Sequence, residues 1–324
     1  MRPPKLKFDP FASDPGRWGA SLANNAETLL ACLDAARPRR VVEIGAYAGD
    51  VTRLLLEWAE GRGADVVAID PAPEPALVQL AAERADLQLL EAPSIAALTQ
   101  IECPDAVIID GDHNYHTVTE ELRLIAEAAA GRMLPLLLLH DVCWPHARRD
   151  DYFAPEEIPA EARQPYVAGA GLMPGEPGLV PGGLPFRYAA RREGGPRNGV
   201  LTAVEDFAAA HDGLRLAVVP AFFGLGVVWD TTAPWARAVA EVLDPWDRNR
   251  MLERLEGNRV FHLASVHYQM VQAGLAQQRN AHKDELLRKL LESKTFSVAV
   301  WLSRLRQRGR PAYSKDEVRR LLAE

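Results

Sequence analysis

The stretch VVEIGAYAGD, residues 41–50, decides the fold. Its first four residues are a short, mostly β-branched run that reads as a strand covered on both faces. Gly45 ends the strand, and Gly49 stands four residues on, where a helix pattern begins. Four similar runs follow within the next hundred residues: Val66–Asp70 (VVAID), Leu87–Leu90 (LQLL), Ala106–Asp110 (AVIID) and Pro135–Asp141 (PLLLLHD). Helical patterns lie around and between them at Ala26–Ala36, Val51–Glu60, Pro75–Arg84, Ile95–Thr99 and His116–Ala130. In the last, Val118, Leu122, Ile125 and Ala129 recur at spacings of three and four. Strand alternating with helix predicts βαβ units and a parallel sheet. Two further runs, Leu214–Val219 and Phe223–Trp229, are predicted to form a hairpin at the sheet edge. The expected fold is α/β: a doubly wound, mostly parallel sheet of seven strands.

Composition narrows the rest. The 324 residues are 48% hydrophobic and 25% charged, values of a globular chain. The net charge of −7 argues against a general nucleic-acid binder, which needs a basic footprint. Cys32, Cys103 and Cys143 are far apart and odd in number, so neither a disulfide framework nor a zinc ribbon is expected. No apolar run approaches the roughly 20 residues of a membrane span. The first ten residues, MRPPKLKFDP, have no apolar segment behind their charges. A cytoplasmic location is therefore expected.

The organisation expected along the chain is an N-terminal arm (1–24), a ligand-binding domain (25–230) and a helical C-terminal extension (231–324). The domain is interrupted at 144–199 by a stretch with nine prolines and nine glycines. Such a long loop is usually functional or mobile. Because it carries Tyr152, Phe153, Tyr166, Phe186 and Tyr188, a partly ordered lid is expected. Helices are predicted at Trp235–Leu243, Asp247–Leu255 and, as one or two long ones, Val260–Leu291. From Leu286 to Arg320 ten Lys/Arg stand against three acids.

Three places carry possible chemistry. The first is the Gly45–Gly49 turn with Asp70, 21 residues past Gly49. A carboxylate at the end of the second strand can accept both ribose hydroxyls of a nucleoside. The GxGxxG phosphate pattern is absent, with Tyr47 in place of the middle glycine and Asp50 of the last. A nucleoside without a pyrophosphate is the expected ligand. Second, Asp110, His140 and Asp141 end neighbouring strands, where two carboxylates and an imidazole can hold a divalent cation. The bland alternative has Asp112 and Asp141 capping the segments that follow and His140 packing against the sheet. Third, His113 is the best general base, with an ordinary pKa near 6.5. His116 is expected on the next helix and less able to reach.

Together VVEIGAYAGD, VVAID, AVIIDGDHNYH and LLLLHDV resemble a class I S-adenosylmethionine-dependent methyltransferase. The resemblance is to the small-molecule O-methyltransferases with an IDGDHxY motif, including the macrocin type. GAYAG is also similar to the turn of catechol-type, magnesium-dependent O-methyltransferases. The resemblance covers residues 25–145 well and 200–230 loosely. It implies that Glu43, Gly45, Tyr47 and Gly49 shape the methionine end of the cofactor pocket. It also implies that Asp70 takes the ribose and that Ser94 lies near the adenine. Asp110 and Asp141 match metal positions, and His140 stands where an acid is common. His113 and Asp110 match catalytic positions. Leu290–Lys315 resembles tails of enzymes of cell-surface polysaccharide assembly, or makes a helical oligomerisation arm.

The reading that follows is methyl transfer from S-adenosylmethionine to a hydroxyl of a small molecule. The acceptor would be a sugar, a glycan intermediate or a natural product. The transfer would be assisted by Mg, Mn, Ca or Zn, with homo-oligomerisation through the C-terminal helices. The rival readings are a nicotinamide-dependent oxidoreductase and a non-catalytic scaffold.

Overall fold

The computed structural model describes residues 21–306 and 314–321. Most of the predicted N-terminal arm, and residues 307–313 of the basic tail, lie outside the described residues. The chain forms two compact units divided between Ser265 and Val266.

The first unit opens with α1 (Ala26–Ala36), stopped by Arg37 in the left-handed conformation before Pro38. Then β1 (Arg40–Ile44), α2 (Asp50–Ala59), β2 (Asp65–Ile69), α3 (Pro75–Glu83), β3 (Leu87–Leu90), α4 (Ser94–Leu98), β4 (Ala106–Ile109), α5 (Tyr115–Ala128) and β5 (Leu136–His140) alternate. After the 144–199 stretch come α6 (Val200–Ala210) and two strands that complete the sheet, Leu214–Val219 and Leu225–Asp230. The 144–199 stretch is not an open loop. It contains an antiparallel pair, β6 (Tyr166–Leu172) and β7 (Leu184–Ala190), so the two closing strands are β8 and β9. The main sheet has the order β3-β2-β1-β4-β5-β9-β8. Neighbours are parallel from β3 to β5, and β9 is antiparallel to both β5 and β8, as the predicted edge hairpin requires.

Continuous apolar strands are explained by two cores. Val41, Val66, Leu136 and Leu138 face α1, α2 and α7 (Ala236–Leu243), meeting Leu29, Leu33, Leu55 and Val239. Their neighbours Val42, Val67, Leu137 and Leu139 face the other way, onto Leu98, Val118, Leu122 and Val204 of α4, α5 and α6. With a side-chain period of two, a strand sandwiched between helix layers must be apolar at every position. Sequence order reverses between β1 and β4, which opens a crevice at the carboxyl ends of those strands.

The 144–199 insertion is fastened from within. Asp150 is fully buried, and its carboxylate accepts the backbone N–H groups of Tyr115 (2.8 Å) and Gly199 (2.7 Å) and the Tyr152 hydroxyl (2.8 Å). Buried Arg149 donates to the carbonyls of Ala190 and Pro177. Those bonds tie both ends of the insertion to the start of α5. The strands were illegible because two glycines interrupt β6 and the connection to β7 is rich in glycine and proline. One of those glycines is forced: a Cβ on Gly171 would stand 1.5 Å from the Gly182 carbonyl oxygen.

Helix α8 (Arg250–Glu292) begins in the first unit and ends in the second; it is one helix where two or three were predicted. The second unit also holds α9 (Lys294–Arg306) and α10 (Lys315–Leu321). Within it Val300 and Val318 are buried, and Lys315 donates to the Ser297 hydroxyl at 2.6 Å. Among the described residues no helix is long and apolar enough to cross a membrane.

Candidate functional site

A cavity of about 710 Å³ lies over the carboxyl ends of β1, β2, β3 and β4. Each wall comes from a different turn. Gly45 and Tyr47 follow β1, Asp70 and Ala72 follow β2, Ser94 opens α4, and Asp110 and Asp112 follow β4. His116 and Thr117 of α5 add a side wall, so His116 does reach, contrary to expectation. Phe153, Ala154, Glu157 and Ile158 of the insertion close the cavity.

Gly45 is needed for a reason the sequence hid. It adopts φ +84°, and a Cβ there would lie 2.1 Å from the carbonyl oxygen of Asp110. The glycine lets two strand ends come together, as well as leaving room above them. Gly49 (φ +80°) starts α2, and a Cβ on it would press Leu77 at 3.2 Å. Asp70 is buried; its oxygens accept the backbone N–H groups of Tyr47 (2.7 Å) and Ala72 (2.8 Å). These bonds orient the carboxylate and leave lone pairs for further donors. Glu43 and Gly49 do not line the cavity. Glu43 turns into the protein and accepts the Thr52 hydroxyl at 2.6 Å. Burial pushes its carboxyl up to about 8. Glu121 of α5 was not foreseen. It is wholly buried, and burial pushes it up to about 8, offset partly by the nearby Ser94 hydroxyl; neither oxygen has a well-aligned hydrogen bond.

Beside the cavity lies a dense cluster of imidazoles and carboxylates. Asp141 holds it from the centre, in the left-handed region at φ +62°. A non-glycine residue there is strained, and such strain persists where the surroundings impose it. Asp141 Oδ2 lies 3.0 Å from His113 Nε2 and 3.3 Å from His140 Nδ1, and its Oδ1 lies 3.9 Å from His146 Nε2. Asp110 Oδ1 is 2.9 Å from His140 Nδ1 and 3.7 Å from His113 Nε2.

Both ring nitrogens of His140, an expected metal ligand, have partners within the chain. Its Nδ1 meets Asp110, and its Nε2 meets the Phe222 carbonyl oxygen at 2.8 Å. Both partners only accept, so both ring nitrogens donate and the ring is an imidazolium. Burial alone would lower its pKa, but Asp141 and Asp110 hold it well above 6.5. His113 behaves likewise: burial is outweighed by Asp141 and Asp110, which keep it well above its ordinary value. Its Nε2 is buried and finds no aligned hydrogen bond. Asp141, despite burial, is held well below the usual carboxylate range by His140, His113 and His146. His146 goes the other way; burial pushes it down to about 3, so it is neutral.

The bland reading of Asp112 also fails in detail. Asn114 caps α5 by accepting the Thr117 N–H. Asp112 instead accepts the Thr117 hydroxyl (3.0 Å) and the Phe153 N–H (3.0 Å), joining the loop after β4 to the lid. Asp110, His113 and Asp141 each offer one ligand atom within 4.8 Å of the others; His113, His146 and Asp151 form a second such group. His146 and Asp151 carried no sequence signal, because their stretch read as loop.

A family model described as a methyltransferase domain matches residues 42–142. No curated protein matches the chain. Among solved structures, SAH-bound methyltransferase PaMTH1 of Podospora anserina aligns at 16% identity, covering 67% of this chain and 83% of that one, with a TM-score of 0.40. A methyltransferase from Geobacter sulfurreducens aligns at 13% identity over 66% of this chain and 82% of its own, with a TM-score of 0.38. The matched segment runs from β1 to the residues after β5. It holds the glycine turn, Asp70 and the IDGDHNY motif. Residues 42–142 are thus similar to a methyltransferase domain.

Proposed function

We propose that the protein transfers the methyl group of S-adenosylmethionine to a hydroxyl oxygen of a small molecule: a sugar, a glycan intermediate or a natural product. The observation that carries this reading is the cavity over β1, β2 and β4, with the oriented Asp70 carboxylate in its wall. In this reading Asp70 accepts the ribose hydroxyls, and Ser94 stands by the adenine. Gly45 and Tyr47 border the methionine end. Glu43 and Gly49 act one layer back, holding the turn and the start of α2.

The sulfonium methyl is already activated, so the protein's work is to align the acceptor and remove its proton. His113 is the base in this proposal, and Asp110 and Asp141 hold its ring. Because those carboxylates raise its pKa, the metal-free site has His113 protonated at neutral pH; its accepting form grows as pH rises through the raised value. The residues also fit a divalent cation. Asp110, His113 and Asp141 would hold it, with His113 then a ligand rather than the base, and when bound it would lower the pKa of the acceptor hydroxyl. His140 keeps Asp110 in place by a charge-assisted hydrogen bond. Phe153 and Ile158 of the insertion cover the cavity as a lid.

The C-terminal helices are proposed to pair copies of the chain. Phe261, Val266, Met270, Leu286, Trp301 and Leu305 are all at least half exposed, more apolar surface than a solitary arm should carry.

Calorimetry with S-adenosylmethionine and with NADH tests the cofactor. Binding of the first alone is expected, and binding of NADH alone would overturn the reading. Label transfer from methyl-labelled cofactor to a panel of hydroxylated glycosides and phenols then tests the reaction. Transfer to nitrogen acceptors alone would refute the oxygen assignment.

A further inference from the structure

A second group of donors meets at His113, and it comes from the lid. One ligand atom from each of His113, His146 and Asp151 lies within 4.8 Å of the other two. The backbone holds them there. The Asp151 N–H donates to the His113 carbonyl at 3.0 Å, and Asp151 bridges to Ala189 of β7. The His146 ring stands 4.6 Å from the His113 ring and edge-on to Phe186 at 5.2 Å. Between them in sequence, buried Arg149 and Asp150 anchor the segment.

Two atoms of this group lack an aligned hydrogen bond within the chain, although Asp141 Oδ2 stands 3.0 Å from one of them, His113 Nε2. The other is Asp151 Oδ1, and both are buried. A buried polar atom left unpaired is costly, so it points to a missing partner. Two imidazole nitrogens and one carboxylate oxygen suit a borderline cation rather than a hard one. Mg²⁺ and Ca²⁺ favour oxygen cages, whereas two histidines with one carboxylate hold Zn²⁺, Fe²⁺, Co²⁺ or Mn²⁺ with positions left open.

We propose that His113, His146 and Asp151 form a binding site for one divalent first-row transition-metal ion, which fastens the lid to the loop after β4. The ion would give Asp151 Oδ1 a partner and add a coordinated junction to the backbone ones. This deepens the metal-assisted reading of the site, with which it shares His113. It moves two of the ligands into the insertion and predicts a different cation. It holds whether or not methyl transfer is to oxygen.

The test reads metal, not turnover. Full-length protein is stripped with chelator, verified metal-free, and titrated with ZnCl₂ and separately with MgCl₂ by calorimetry, with bound metal counted by mass spectrometry. One Zn²⁺ per chain is expected, bound at least about 100-fold more tightly than Mg²⁺. His146→Gln and Asp151→Asn should each weaken Zn²⁺ binding by about 100-fold, while Asp110→Asn should leave it within about threefold. The Asp151→Asn variant keeps shape and stands if His146→Gln does not fold. Zn²⁺ should also slow proteolysis within 151–198 in protein without cofactor. Three results would each overturn the proposal: absence of Zn²⁺ binding, equal affinity for Mg²⁺, or loss of Zn²⁺ binding in Asp110→Asn with retention in the two lid variants. Failure of methyl transfer with these results intact would fall on the proposed reaction, not on the metal site.

Discussion

The two sides of the cavity are built by different means. On the β1–β2 side, backbone does the work. Gly45, Tyr47 and Gly49 take positive φ, and one carboxylate is aimed by two backbone N–H groups. On the β4–β5 side, ionisable side chains do it. Three histidines and two other carboxylates crowd around Asp141, balancing one another's charge. A backbone-built wall is set by local sequence and, apart from Glu43 buried beneath it, carries little pH dependence. A wall of mutually perturbed charges depends on every member and on proton concentration. The first suits a cofactor that is always the same; the second suits moving a proton.

The largest expected effect strikes the seam where the two sides touch. Gly45→Ala would put a methyl group 2.1 Å from the Asp110 carbonyl in a conformation that L-residues avoid. A loss of about 3–5 kcal/mol in stability is expected, in the upper range for single substitutions. Urea unfolding measures it, and an unchanged midpoint would mean that the seam is looser than described.

Next is the backbone-built side alone. Asp70→Ala should weaken S-adenosylmethionine by about 2–4 kcal/mol, the range for charge-assisted hydrogen bonds. Calorimetry that finds undiminished affinity would remove Asp70 from the cofactor site.

The contrast in pH dependence can be measured directly. Glu43 keeps its proton to about pH 8 in the folded state, against 4.5 when free. Between those values the folded chain binds a proton that the unfolded chain lacks. Its contribution to stability therefore falls as pH rises, by up to about 1.4 kcal/mol per pH unit. Glu43→Gln should remove that slope between pH 5 and about 8. His146 acts with opposite sign. Pushed down to about 3, it favours unfolding as pH drops below 6.5. Raised His113 predicts turnover climbing on the alkaline side of neutrality, and His113→Ala should flatten that climb. A rate profile centred on 6.5 would break the assignment of His113 as the base held by two carboxylates.

The smallest effects concern lid and tail. Cofactor with acceptor should slow proteolytic cutting within 151–198 by a few-fold, roughly what partial ordering of a braced segment allows. Equal rates would leave the insertion a fixed roof. Light scattering should find a dimer or larger, and a monomeric full-length chain would refute pairing through α8 and α9.

Much of this was legible. Every strand of the main sheet was anticipated to within two residues, because a strand buried on both faces must be apolar throughout and ends at Gly, Asp or Pro. Asp70, Ser94 and Asp110 line the cavity. The β6–β7 pair was not legible, since its glycines meet steric demands from partners far along the chain. Gly171 makes room for Gly182, and no local pattern records that. Nor was the true state of His140. The motif placed an imidazole beside two aspartates, but its second nitrogen is claimed by Phe222, 82 residues away. That turn is itself held by Glu256 of α8, which accepts the N–H groups of Phe222 and Phe223.

The sequence by itself determined which residues become strands of the main sheet and where the chemistry gathers, because periodicity and strand-end motifs are properties of short stretches. The tertiary structure decided which imidazole donates, which stays neutral and which atoms are left without partners. Those properties depend on burial and on charges brought together from β4, β5, the β8–β9 turn and the lid, and a buried charge answers to its neighbours in space rather than in sequence.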